Sequence, residues 1–195
     1  MLPDKIFFVG APGSRWSGIA QNIETIPGFN ITDRTPGRNY THHNFSGHLG
    51  AYFGTGWECD TSLDAQNLDR SFTDTTGTRI LKSHEWAYQL DEIHDRYPDS
   101  WIMLVHRPDL ACQAWWHEAG GFTIAYPDYN PYYKNSMNML NEIIRMNSAM
   151  FEFAQRHNLA WNHISADWIE HNFGHRVEPT VQLSDILVSI LKGKS

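Results

Sequence analysis

The sequence predicts an α/β fold, a three-layer sandwich with helices on both faces of a central, mainly parallel sheet and a P-loop-like phosphate-binding turn after the first strand. Three observations carry that expectation. Short apolar runs rich in β-formers alternate with segments of helical period. The first run closes on a cluster of small residues that leads directly into a helical segment. Three of the runs end in polar clusters, where open α/β sheets place their ligands.

In chain order, residues 5–9 (KIFFV) form the first predicted strand, ended by Gly10, Pro12 and Gly13, and 17–23 continue as a helix. Residues 27–62 are crowded with Gly, Asn, Thr, His and aromatics and show no sustained period, the mark of a functional or mobile segment. Order returns at 79–82 (RILK), a strand whose end carries Ser83 and His84. Trp86, Leu90, Ile93 and Tyr97 then fall at helical spacing, and Pro98 closes that helix. Residues 101–105 (WIMLV) predict a buried strand ending in His106 and Arg107. Asp109 is placed as N-cap of a helix through His117, stopped by Gly120 and Gly121 and followed by a tyrosine-rich loop at 126–133. The longest helix is expected over 134–157, with Met137, Leu140, Ile144, Phe151 and Ala154 on its apolar face. A strand is expected at 160–164, and Leu183, Ile186, Leu187, Ile190 and Leu191 predict a short amphipathic C-terminal helix.

With 195 residues and 41% hydrophobic composition, the whole chain, 1–195, is expected to be one domain with a substantial core. Its net charge of −7 argues against a nucleic-acid partner, since phosphate backbones need a concentrated basic surface. No apolar run approaches the ~20 residues a bilayer span requires, and no signal-like N-terminus is seen, so no membrane association and a cytoplasmic location are expected. Cys59 and Cys112 read as free thiols. The histidine groups His42, His43, His48 and His163, His171, His175 match no zinc spacing, so no metal is expected.

The chemistry lies at the strand ends. In Gly10–Gly18, backbone N–H groups and a helix N-terminus can hold an anion, with Arg15 and the Ser14 and Ser17 hydroxyls as further donors. Set against a Walker A loop, Gly10 and Ser17 fit the outer positions, but Arg15 and Trp16 stand where Gly and Lys are required. The second cluster is Lys82-Ser83-His84, and the third runs from His106 and Arg107 to Trp116.

In this order the three segments resemble the PAPS-dependent sulfotransferases, whose donor is 3′-phosphoadenosine 5′-phosphosulfate (PAPS). Pro12-Gly13-Ser14-Arg15-Trp16-Ser17 is similar to that family's 5′-phosphosulfate loop, Lys82-Ser83-His84 to its Lys-Thr-His, and 107–116 to its Arg-Asn-Pro-x-Asp-x-Ala-x-Ser-Tyr-Tyr. The similarity covers residues 5 to about 118. The resemblance implies sulfuryl transfer to a hydroxyl or amine of a small-molecule or carbohydrate acceptor, with PAP as product and no metal. It implies His84 as general base, Lys82 near the transferring group and Arg15 in place of the loop cation, which is Gly13 here. Pro12, Gly13, Ser14, Arg15, Trp16 and Ser17 would hold the 5′-phosphate, with Arg107 and Gln113 at the 3′-phosphate. A nucleotide or phosphate-ester kinase and an inactive nucleotide-binding module of the same fold are the alternatives. Adenine would need an aromatic slot, for which Trp16, Trp86 and Trp115 are candidates.

Overall fold

A computed structural model describes residues 2–34, 62–70, 72–123, 134–181 and 183–194. Most of the irregular 27–62 segment, the 126–133 loop, Cys59, His42, His43 and His48 lie outside the described residues.

Strands β1 (Lys5–Gly10), β2 (Arg79–Lys82), β3 (Trp101–His106), β4 (Asn162–His163) and β5 (Leu187–Leu191) form one sheet in the order β2-β1-β3-β5-β4. β1 pairs parallel with both β2 and β3, whereas β5 runs antiparallel to β3 and β4. The sheet is therefore mixed, parallel at its centre and antiparallel toward one edge. Helices α1 (Trp16–Ile23), α2 (Ala65–Asp69), α3 (Leu90–Arg96), α4 (Asp109–Glu118), α5 (Ser136–Arg156) and α6 (Ala166–Phe173) flank it.

Both faces are covered, and strand alternation shows how. Ile6, Phe8, Ile80, Met103 and Val105 pack with Trp16, Ile19 and Ile23 of α1 and Ile169 and Phe173 of α6. Phe7, Val9, Leu81, Ile102 and Leu104 face the other way, against Leu90 and Ile93 of α3, Cys112 and Trp116 of α4, and Ile143, Met146 and Met150 of α5. Each such side chain withdrawn from water contributes roughly 1.5–3 kcal/mol, so the three central strands anchor the loops at their carboxyl ends.

Four expected elements differ. The predicted C-terminal helix is strand β5: in a short apolar run helical and strand periods coincide, and pairing to β3 on one side and β4 on the other decides for the strand. On α5 the expected face is partly turned outward, with Met137 60%, Ile144 38% and Phe151 39% exposed. The helix buries Met139, Ile143, Met146, Met150 and Phe153 instead, a denser series at three- and four-residue spacing. The predicted 160–164 strand shrinks to two residues, and the helix expected from Trp86 splits into a 3-10 turn, Glu85–Tyr88, and α3.

Candidate functional site

Because β1 lies between β2 and β3 and runs parallel to both, the carboxyl ends of all three open on the same edge of the sheet. The chain leaves β1 for one neighbour and then crosses to the other, which makes the β1/β3 end a topological switch point.

The loop from Gly10 to Arg15 is built by close packing. Gly13 has φ +82°, and a Cβ there would stand 2.0 Å from the carbonyl oxygen of Cys112, so α4 can approach only because this residue is glycine. A Cβ on Gly10 would lie 2.7 Å from the Ser14 hydroxyl, which is fully buried and has no hydrogen-bond partner among the described residues. The Ser14 N–H donates to Ala11 O at 3.0 Å, closing the turn.

Arg15 is the N-cap of α1 in a left-handed conformation, φ 65°, and makes no side-chain capping bond. A non-glycine residue there is strained, and such outliers cluster at sites where the surrounding structure imposes them. Gly18 and Ile19 N–H donate to the Arg15 carbonyl, so the capping turn directs the preceding amides of Trp16 and Ser17 outward along the helix axis. The Arg15 guanidinium lies 4.0 Å over the Trp115 ring. Burial, then the like charge of Arg107, pulls its pKa below the usual arginine value, with Glu118 acting in the opposite direction.

Arg107 closes the site from the β3 side. Its Nε donates to Asp185 Oδ2 at 3.0 Å, its Nη1 donates to the Gly13 carbonyl at 3.4 Å, and its side chain is 12% exposed. Asn147 of α5 donates to the Arg107 carbonyl at 3.0 Å and to Asp109 Oδ1 at 2.6 Å, fixing the start of α4. Pro108 is the N-cap of that helix, and Asp109, expected there, is its first residue. Cys112 is a free, buried thiol whose pKa burial pushes up to about 12, which rules out a thiolate at neutral pH.

On the β2 side the His84 Nδ1–H donates to the Gly10 carbonyl, and the ring packs 4.2 Å from that of Trp16. Because a carbonyl can only accept, the proton of a neutral imidazole sits on Nδ1 and the basic lone pair on Nε2. Loop residues thus meet both other strand ends, His84 at Gly10 and Arg107 at Gly13. These partners are 74 and 94 residues apart in sequence.

Other expected residues go elsewhere. Lys82 is 0% exposed, with its ammonium 3.7 Å from both Glu24 and Asp33 on the α1 face. It is enclosed among carboxylates and does not join the two arginines. Gln113 donates to the Ser136 carbonyl at 2.7 Å and so ties α4 to α5. Trp16 is 4% exposed and Trp86 0%, so both are core, whereas Trp115 flanks Arg15. Pro12 is buried and Ser17 half-buried. Lys194 N–H donates to Pro98 O, which takes the C-terminal residues to the amino edge of β3, opposite the site. Asp185 and Asn147 were missed by sequence reasoning. The first was hidden by the helical reading of 183–191, and the second by the misplaced face of α5.

Among the described residues, no group of three or more His, Cys, Asp or Glu side chains could hold a metal, and no helix is long and apolar enough to cross a membrane. Comparison with family models, curated proteins and solved structures finds no match.

Proposed function

We propose that the chain transfers a sulfuryl group from PAPS to a hydroxyl or amine of a small-molecule or carbohydrate acceptor. The observation that carries this reading is the meeting of three distant segments around one loop, through the His84–Gly10 and Arg107–Gly13 hydrogen bonds. These are the same three segments whose sequences resemble the sulfotransferases.

The chemistry follows from the residues at hand. Acceptor oxygen attacks sulfur in line as the bond from sulfur to the bridging oxygen breaks, so charge accumulates on the departing 5′-phosphate. Arg15, the Trp16 and Ser17 amides and the buried Ser14 hydroxyl are the donors for that charge. His84 Nε2 takes the acceptor's proton, and its Nδ1 bond to Gly10 keeps that nitrogen basic. Arg107 holds the 3′-phosphate through a charge-assisted hydrogen bond from its guanidinium. Lys82 acts at one remove, fixing the strand end that carries His84. Its enclosure favours one alternative, a nucleotide-binding module that does not transfer sulfate.

Thermal melts with PAP, PAPS, ATP and GTP test the binding half, because a ligand of the native state raises its melting temperature. PAP and PAPS are expected to stabilise and the triphosphates not; the reverse supports a kinase. The transfer half is tested by His84→Ala, which should keep PAP binding yet lose 10²- to 10⁴-fold in rate. Wild-type turnover by that variant removes His84 as base. PAP binding without transfer to a broad panel of alcohols, phenols, amines and sugars supports the binding module.

A further inference from the structure

We propose that Asp185 is a positioning residue that aims Arg107, and through it sets the site's preference for a nucleotide bearing a 3′-phosphate; this rests on the reading of Arg107 given above. Asp185 comes to the site because residues 187–191 are a strand. The β3/β5 register puts His106 opposite Leu187, so the continuations of the two strands bring Arg107 and Asp185 together. A turn closed by Ile186 N–H to Leu183 O, 3.1 Å, fixes the backbone beside Asp185.

The geometry divides the guanidinium. Of its five N–H donors, one on Nε goes to Asp185 and one on Nη1 to the Gly13 carbonyl. Both bonds fix the plane of the group, and Nη2 remains for an incoming oxyanion. Among the described residues Asp185 Oδ1 is buried without a hydrogen-bond partner, so Arg107 is the carboxylate's principal anchor and the pair holds together. Asp109, the other nearby acid, is engaged by Asn147. A cation already held in its binding orientation loses less side-chain freedom when the phosphate arrives. Arg15 is outside this arrangement, so loss of Asp185 should affect the 3′-phosphate and leave the 5′-phosphate.

The test compares the dissociation constants of PAP and AMP in the wild type, Asp185→Ala and Asp185→Asn. The wild type should prefer PAP by at least about tenfold, the size of one charge-assisted contact. In Asp185→Ala that preference should fall to within about threefold of unity while AMP affinity stays within about threefold of wild type. Asp185→Asn, which keeps an acceptor for Nε, should retain most of the preference. A purely structural residue would weaken both nucleotides together. An undiminished PAP preference in Asp185→Ala overturns the positioning role alone, and so does a parallel loss of both ligands. Equal wild-type affinities overturn the reading of Arg107 and this inference with it. Should Asp185→Ala not fold, Asp185→Ser takes its place, with the same expected loss of preference and the same contradicting result.

Discussion

Two cationic regions lie at the carboxyl end of this sheet, and they are handled in opposite ways. Lys82 is fully enclosed, with two carboxylates, Glu24 and Asp33, each 3.7 Å from its ammonium. Arg15 and Arg107 stand close enough for their like charges to oppose each other, and a salt bridge to Asp185 engages Arg107. A cation enclosed by acids within the fold stabilises it only while the whole cluster is intact. Two like charges beside a glycine loop oppose each other, and an anion from outside can relieve that opposition. The first region is a buried ion cluster, and the second is the candidate anion site proposed above.

The largest effect that would break this contrast is expected at Lys82. Lys82→Met removes the ammonium that lies 3.7 Å from two buried carboxylates, and removing one partner of a buried ion pair costs about 3–5 kcal/mol, to be read from the urea midpoint. A loss below about 1 kcal/mol would mean the cluster is not structural. Gly13→Ala comes next. The positive φ and the 2.0 Å approach to Cys112 O together should cost about 3 kcal/mol, and Gly13→Lys, which would restore the cation of the resembling loop, should fare no better.

Arg15→Gly sharpens the contrast because its two consequences have opposite signs. Relief of the left-handed conformation should raise stability by about 1 kcal/mol, while PAP affinity falls about tenfold. Parallel losses of stability and affinity would make Arg15 a structural residue like Lys82. The smallest effect is expected at His106, whose pKa burial lowers from 6.5. As pH falls below that value the unfolded chain takes up the proton first, so its contribution to stability is lost between 6.5 and the depressed folded value. Stability measured from pH 7 to pH 5 should fall more steeply in the wild type than in His106→Gln.

The alternation of strand and helix through residue 118 was legible in the sequence because uninterrupted apolar runs such as WIMLV, bounded by Gly and Pro, leave little choice of element. His84 and Arg107 were legible as strand-end residues, and Arg15 as part of the small-residue loop after the first strand, for the same reason. What the sequence hid depended on partners far along the chain. Val188 and Ile190 become strand only because β3 and β4 offer edges on both sides, and Asp185 follows them. α5 is apolar on more than one side, so its inner stripe is chosen by the packing of α3, α4 and the sheet. Lys82 could not be told from a catalytic lysine, since nothing local announces that Glu24 and Asp33 will close around it.

The central claim, that the Arg15–Arg107 edge binds while the Lys82 cluster holds the fold, is tested most directly by a crystal structure of the protein with PAP. The Arg15 guanidinium and the α1 amides should lie on the 5′-phosphate and Arg107 on the 3′-phosphate, with Lys82 still between Glu24 and Asp33. A nucleotide bound away from the Gly10–Arg15 loop, or Lys82 swung out onto a phosphate, would contradict it.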